Sequence, residues 1–507
     1  MEALSRLIDA KRDADVDGPG ADRNSLRHMN RCLAELAFLF AALVVAAASR
    51  GAVGQEDVFF EVSAELVDET PPAPSSQLIT LQGYPYVAGR LTILGRLYTP
   101  DPAEHGVGPY PAVIILHGSG GLWSNDLIDN GLSSQFREWG GLLAGMGYLT
   151  LFPDSYNPRG IPGNFSGRKP HHDPAEDDHL CSPNYERPKD VLAALTYLVG
   201  RPDFDGENVA LIGFSHGAQT AMNAMVDPSV DLDAYTVSFV DLVVVPDSEP
   251  PELAEDTVLK PVPSPVRIPQ NLPVPKVCAF FYGGGSHYRY HGSASSTAAG
   301  RFMFHRDTHV LMFHGTEDSL LGVDDPSANP PLSGNLYPIK QAMASSAQAT
   351  AIGVDDPLQH HFLMAGVEHS FDGVSDAAEM DWNTQNETPD QKAKRLCRPE
   401  VLKWLEAMLK PRSALTIEEG PMADEITVRA DTSALLRYQW RQSSDLVTWT
   451  DHLAEFDGTG MDAASTVAKQ QPEKLFFQLG RRPIPPPFED PNHAGFFLDY
   501  SDFDLGP

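Results

Sequence analysis

A serine set between glycines can act as a nucleophile when a base and an acid are placed to serve it. Here G-x-S-x-G occurs as Gly213-Phe214-Ser215-His216-Gly217. The pentapeptide alone is a weak signal, and its setting gives it weight. "ENVALI" before it is a buried-strand run and "AQTAMNAMV" after it is helical, so Ser215 falls on a strand-to-helix turn. Glycines allow that turn to be tight, and the turn lifts the hydroxyl to the edge of a sheet at a helix N-terminus. The plainer alternative is a glycine-rich helix start with Ser215 as its N-cap.

A serine nucleophile needs a general base, a group that orients the base, and donors for an oxyanion. With this type of turn the chain order is serine, acid, histidine. "VLMFHGTEDSLLG" places Asp318 at a strand end, with Glu317 as its rival and Asp324 and Asp325 further into the loop. "FLMAGVEHSFDG" places His369 in the loop after the last strand; an ordinary surface histidine is the alternative. His216 is set aside as the base, because adjacent side chains at a helix start diverge. Its backbone N–H is the expected first oxyanion donor, and that of Ser119 in "LHGSGG" is the second. Arg159 in "SYNPRG" is a candidate for binding a substrate carboxylate, against a structural ion pair; Arg187 reads as structural. This chemistry requires neither a metal nor an organic cofactor. "RKPHHDPAEDDHLC" crowds histidines with acids but matches no standard metal spacing and reads as a solvated loop. "FDGTGMD" reads as a turn rather than a calcium site, and "GGGSHYRYHG" as a loop beside a strand end.

These residues need a scaffold that brings strand ends together. "YPAVIILHGSGG", "YLTLFPDS", "ENVALIGFSHG", "KVCAFFYGG", "THVLMFHGTED" and "HHFLMAGVEHSF" read as strands, most of them apolar enough to be buried on both faces. "FREWGGLLAGMG", "ERPKDVLAALTYLVG" and "PEVLKWLEAMLK" read as helices between or after them. The expected fold class is α/β, with a doubly wound, mostly parallel sheet. "QLITLQGYPYVAGRLTILGRLYTP" alternates like a hairpin of two half-buried strands. The expected organisation is a leader over 1–54, with its apolar core at 33–48, and a linker over 55–77. The catalytic domain spans 78–410 and carries a proline-rich insertion at 241–276, either a surface excursion or a cap. A small β-sandwich-like module follows over 412–482, then a proline-rich acidic tail over 483–507, expected to be extended or disordered.

Lys and Arg number 37 and Asp and Glu 69, giving a formal charge of −32. A charge of that sign argues against nucleic acid or an anionic membrane as partner. "MNRCLAELAFLFAALVVAAASRGAVGQ", from Met29, has the basic, apolar and small-residue regions of a secretory signal. The expected location is therefore secreted or periplasmic, with no stable membrane insertion after cleavage. The four cysteines include no C-x-x-C pair; one disulfide among Cys181, Cys278 and Cys397 is open.

"YPAVIILHGSGGLW", "FPDSYNPRG", "ERPKDVLAALTYL", "VALIGFSHGA", "HGTED" and "GVEHSFD" together resemble the dienelactone hydrolase family of α/β-hydrolases. The resemblance covers about 78–410 and implies a Ser215–Asp318–His369 triad and carboxylic ester hydrolysis. The best-known members of that family use a cysteine nucleophile, so the serine here points to a general esterase rather than to dienelactone. "YQWRQSSDLVTWTDHLAEFDGTG" and "LFFQLGRR" resemble a small β-rich module near the C-termini of secreted bacterial proteins, which implies an accessory or attachment role. Otherwise Trp440, Trp449, Phe476 and Phe477 simply form its core. The expected function is a secreted serine hydrolase acting on a small or polymeric ester through an acyl-enzyme. A peptidase or amidase of the same fold, and a non-catalytic binding protein, are the alternatives.

Overall fold

The computed structural model describes residues 53–67, 71, 73–161, 181, 183, 186–225, 236–244, 253–261, 266–282, 308–320, 359–374 and 387–410. Toward the C-terminus it describes 415–419, 425–431, 433, 435–443, 450–451, 456–457, 462–468, 476–483 and 496–498. The leader, the histidine-rich loop before Cys181, the "GGSHYRYHG" stretch, and Asp324 and Asp325 lie outside the described residues.

A nine-stranded sheet organises the chain. Its strands begin with β1 (Gly54–Glu61), β2 (Thr92–Thr99), β3 (Tyr110–Leu116), β4 (Leu149–Asp154) and β5 (Phe204–Phe214). A separate antiparallel hairpin follows, β6 (Thr236–Val244) with β7 (Leu253–Pro261). The main sheet resumes with β8 (Val277–Phe281), β9 (His309–Gly315) and β10 (Gln359–Met364). Seven further strands form the C-terminal sheets. They are β11 (Leu415–Glu419), β12 (Glu425–Asp431), β13 (Leu436–Ser443), β14 (Thr450–Asp451), β15 (Phe456–Asp457), β16 (Asp462–Ala468) and β17 (Phe476–Pro483). Last comes β18 (Phe497–Leu498), which returns to the main sheet.

The main sheet runs β1-β2-β4-β3-β5-β8-β9-β10-β18. The six strands from β4 to β10 in that order are parallel, and β1, β2 and β18 pair antiparallel. Every residue of β3, β4 and β8 is buried, as expected of runs with helices on both faces. Four helices matter for the site: α1 (Ser134–Gly145), α2 (Arg187–Val199), α3 (His216–Ala224) and α4 (Pro389–Leu409). On one face Val191, Leu195 and Leu198 of α2 and Ala218 and Met222 of α3 pack with Leu97, Ile114, Leu211 and Cys278. On the other, Trp139 of α1 sets its ring 6.3 Å from Phe214 and 6.1 Å from Phe281. This strand order with flanking helices is an α/β-hydrolase-like fold with a mixed sheet.

Four phenylalanines run across the parallel strands in register: Phe214 pairs with Phe281, Phe281 with Phe313, and Phe313 with Phe362. Each neighbouring pair stacks with ring centroids 4.8 Å apart. They stand on the α1 face at the C-terminal ends of β5, β8, β9 and β10, directly before the loops that hold Ser215, Tyr282 and His369.

Several expectations change. The hairpin read from "QLITLQGYPYVAGRLTILGRLYTP" holds one strand: Ser76–Thr80 is a short helix capped by the Ser75 side chain on Leu78 N. The antiparallel partner of β2 is instead β1, inside the stretch read as a linker. Its Val58 and Phe60 alternate inward, a period-2 signal hidden by Phe59 between them and by the flanking acidic residues Glu56, Asp57 and Glu61. The proline-rich insertion carries a long in-register hairpin, β6 with β7. Within the tail, β18 pairs with β10. Cys181, Cys278 and Cys397 are buried free thiols, so no disulfide joins them.

The C-terminal strands form two antiparallel sheets, β11-β12-β16 and a second built on β13 with β14, β15 and β17. They belong to the same compact unit as the main sheet, Val53–Pro507. No described helix is long and apolar enough to cross a membrane.

Two outcomes are expected. Phe313→Ala removes the middle of the ladder from both neighbours and costs about 3–5 kcal/mol of stability, measurable by urea unfolding. The second concerns the opposite end of the sheet, where His309 and His360 pack 4.6 and 4.5 Å from the Trp404 ring. Burial, then the neighbouring His360, pushes His309 from 6.5 down to about 4. The unfolded chain therefore binds the extra proton, and the stability His309 contributes is complete above 6.5 and drains as pH falls toward about 4. The melting temperature should fall less steeply over that interval in His309→Phe than in the native chain.

Candidate active site

The two motif glycines are dictated by close approach. A Cβ on Gly217 would lie 2.2 Å from Leu116 O, and one on Gly213 would lie 2.3 Å from Gly217 O. Helix α3 therefore starts pressed against the end of β3, and the chain between β5 and α3 must reverse within one residue. That residue is Ser215, held at φ 51° and ψ −116°, a conformation that side chains rarely adopt. Its N–H donates to Phe281 O at 2.9 Å, which anchors the turn to β8.

The hydroxyl this turn presents has a partner. His369 Nε2 lies 3.0 Å from Ser215 Oγ, and His369 Nδ1 lies 2.7 Å from Asp318 Oδ2. With the proton on Nδ1, the ring donates to the carboxylate and accepts from the serine hydroxyl. Asp318 is fully buried, and its other oxygen accepts from Leu320 N at 3.2 Å. The fully buried His314 places Nδ1 3.9 Å from the same Asp318 Oδ2. The loops that carry Asp318 and His369 are stitched together: Thr316 N donates to Met364 O, Glu317 N to Val367 O, and Gly366 N to Thr316 Oγ1.

The His369 ring is held from behind as well. Tyr282, at a positive φ of 41°, stands edge-on to the His369 ring with centroids 4.8 Å apart. Gln135 Nε2 donates to both Tyr282 Oη and Asp372 Oδ2. Asp372 also accepts from Trp139 Nε1 at 2.9 Å and from Arg398 Nε at 2.6 Å. Burial disfavours this carboxylate, but Arg398 and the other donors outweigh it and hold Asp372 below its ordinary range. So α1, the residue after β8, and α4 all brace the loop that carries His369.

The ring of His216 does not face Ser215 as a base would. Its Nδ1 accepts from Arg187 Nη1. His216 opens α3, where the first N–H groups of a helix lack partners within it. Ser119 lies exposed in the loop after β3. A Cβ on its neighbour Gly118 would be 3.4 Å from Ser215 Cβ, which places that loop beside the hydroxyl. Arg159 is not brought to Ser215. It is 3% exposed, its fork is taken by Asp190 at 2.7 and 2.9 Å, and Nη1 also donates to Ser155 O. Of the two readings of Arg159, substrate contact or structural ion pair, the structure has the ion pair.

Behind the serine lies a polar cluster of which the sequence reading named only Arg187, as structural. His117 Nε2 accepts from Ser155 N at 3.2 Å and Nδ1 faces Gly118 O at 2.8 Å. Burial, then Arg187, holds His117 well below the usual imidazole range, so the ring is neutral. Arg187 donates to Ser155 Oγ at 3.1 Å and to His117 O at 2.8 Å. His117, Ser155 and Arg187 are potential catalytic-site residues of this hydrolase-type fold. The available signal was Arg187 itself, an arginine at the start of an otherwise apolar helix face. No group of three or more metal-ligating side chains occurs among the described residues.

Residues 93–261 match the dienelactone hydrolase family. A dienelactone hydrolase-like promiscuous phosphotriesterase from metagenomic libraries is similar in structure at 15% identity, over 70% of this chain and 99% of that one, with a TM-score of 0.37. An S-formylglutathione hydrolase from Agrobacterium tumefaciens is similar at 15% identity, over 71% and 97%, with a TM-score of 0.34. An esterase of Pyrococcus furiosus is similar at 11% identity, over 71% and 94%, with a TM-score of 0.32. No curated protein matches the chain. Over residues 93–261 the chain is homologous to the dienelactone-hydrolase-like α/β-hydrolases.

Proposed function

We propose that this protein is a serine hydrolase that cleaves carboxylic esters through an acyl-enzyme. The observation that carries the reading is the continuous hydrogen-bonded line from Ser215 Oγ through His369 to Asp318. His369 takes the hydroxyl proton as Ser215 attacks the ester carbonyl. The N–H groups of Ser119 and His216 receive the oxyanion. Asp318 keeps the imidazole oriented and stabilises its charged form. The alcohol leaves with the proton from His369, which then activates water to release the acid. The chain's own residues supply every proton transfer, so the reading calls for no metal or organic cofactor. The signal-like leader from Met29 supports export, to the medium or periplasm, and the strands within 412–482 support an accessory module.

Hydrolysis of p-nitrophenyl acetate tests the reading. Ser215→Ala and His369→Ala should each lower kcat by about 10⁴-fold or more. A fluorophosphonate should label the native chain once and leave Ser215→Ala unlabelled. Turnover that survives Ser215→Ala, or that survives His369→Ala but not His216→Ala, overturns the assignment.

A further inference from the structure

We infer that Arg187 is a positioning residue that locks the two oxyanion-donor loops to one another from behind; this rests on the serine-hydrolase reading above. Arg187 begins α2 and is fully buried. Each nitrogen of its guanidinium has a separate acceptor. Nε donates to Ser155 Oγ, after β4; Nη1 donates to His216 Nδ1, at the start of α3; Nη2 donates to His117 O, after β3. The His117 carbonyl is two residues before Ser119, and His216 is the residue after Ser215. One flat, rigid group therefore spans both segments whose N–H groups would hold the oxyanion.

The charge itself is informative. Among the described residues no carboxylate pairs with Arg187, because Asp190 is taken by Arg159. Its contacts are neutral oxygens, an imidazole nitrogen, and the face of Tyr156 at 5.5 Å. Burial accordingly lowers its pKa. Packing alone would be met at less cost by a methionine, since a buried charge with no counter-ion, as Arg187 is among the described residues, is expensive. What a methionine lacks is the fork, and the positive charge kept in a dry region behind both donor loops. Accepting from Arg187 also fixes the His216 proton on Nε2 and keeps that ring turned from Ser215.

The test uses the full chain with Arg187→Met and Arg187→Lys. Active sites are counted by endpoint fluorophosphonate labelling, so that kcat is expressed per competent site. Inhibition by an alkyl trifluoromethyl ketone is measured in parallel, because its adduct with Ser215 carries the oxyanion. Arg187→Met should lose about 100-fold in kcat per site with little change in KM, as expected for donors displaced by a fraction of an ångström. Inhibitor affinity should fall by the same factor. Arg187→Lys keeps the charge without the fork and should lie between. A purely structural role would reduce the number of competent sites and the melting temperature while leaving kcat per site intact. That result, or a fall in kcat unmatched by inhibitor affinity, overturns the inference; if Arg187→Met does not fold, Arg187→Lys decides alone. Activity retained by Ser215→Ala would instead overturn the hydrolase reading, and does so without reference to Arg187.

Discussion

Register across the parallel strands governs everything at the C-terminal edge of this sheet. The stacked rings of Phe214, Phe281, Phe313 and Phe362 fix that register. A one-residue slip in any strand would turn its phenylalanine to the opposite face and break two stacks at an inner position. Each ring is followed closely by a residue of the site. Ser215 comes one residue after the first, Tyr282 one after the second, and Asp318 and His369 stand on the loops leaving the third and fourth. The ladder thus converts apolar burial into alignment of polar groups. Three non-glycine residues with positive φ, Ser215, Tyr282 and Ser370, lie just beyond it. Strain of this kind, of order 1–3 kcal/mol each, persists only where the surrounding packing leaves no relaxed alternative.

Buried charge is placed around the site in two groups of different character. Behind His369, Arg398 pairs with Asp372 and with Glu138, and Trp139 and Gln135 also donate to Asp372. Behind Ser215, Arg159 is neutralised by Asp190, while Arg187 is hydrogen-bonded and pairs with no carboxylate among the described residues. Asp154, which accepts from Trp123, Asn157 and the N–H of Tyr156, completes this second group. Burial pushes the Asp154 carboxyl up, against those donors. The Ser215 side thus holds two buried guanidiniums, Arg159 and Arg187, and two buried carboxyls, Asp190 and Asp154, and of the two guanidiniums Arg187 is the one that no described carboxylate contacts.

The main sheet and the positions of Ser215, Asp318 and His369 were readable because each follows a local rule. Parallel strands are apolar runs, the glycines mark the tight turn, and the acid and base stand just after strand ends. What escaped is what depends on distant partners. The rings of the ladder occupy strand ends that look like any apolar run, and only pairing reveals that "LIGF", "AFF", "LMF" and "HHF" align. Arg159 looked available for substrate because its loop follows a strand; Asp190, thirty-one residues on, claims it. β1 was masked by its acidic residues, which face solvent and form ion pairs such as Arg96 with Asp57. The hairpin expected before β2 failed because Ser75 supplies an N-cap that alternation alone does not register.

The two edges of the sheet are finished differently, and the difference bears on the site. β1 is an edge strand with exposed Gln55, Glu56 and Asp57, and charge on an edge discourages pairing with another chain. β10 would be the other edge, but it carries the loop of His369 and has few charges to protect it. There the chain's own terminus supplies the missing partner: Leu363 pairs with Leu498 and Met364 with Phe497. Ala365 N donates to Phe496 O at 2.8 Å, and Lys392 of α4 sits 4.2 Å above the Phe496 ring. The pairing therefore continues to within four residues of His369. A segment that is acidic and proline-rich in composition acts locally as a strand, because the edge it meets offers unpaired backbone groups that only another backbone can satisfy.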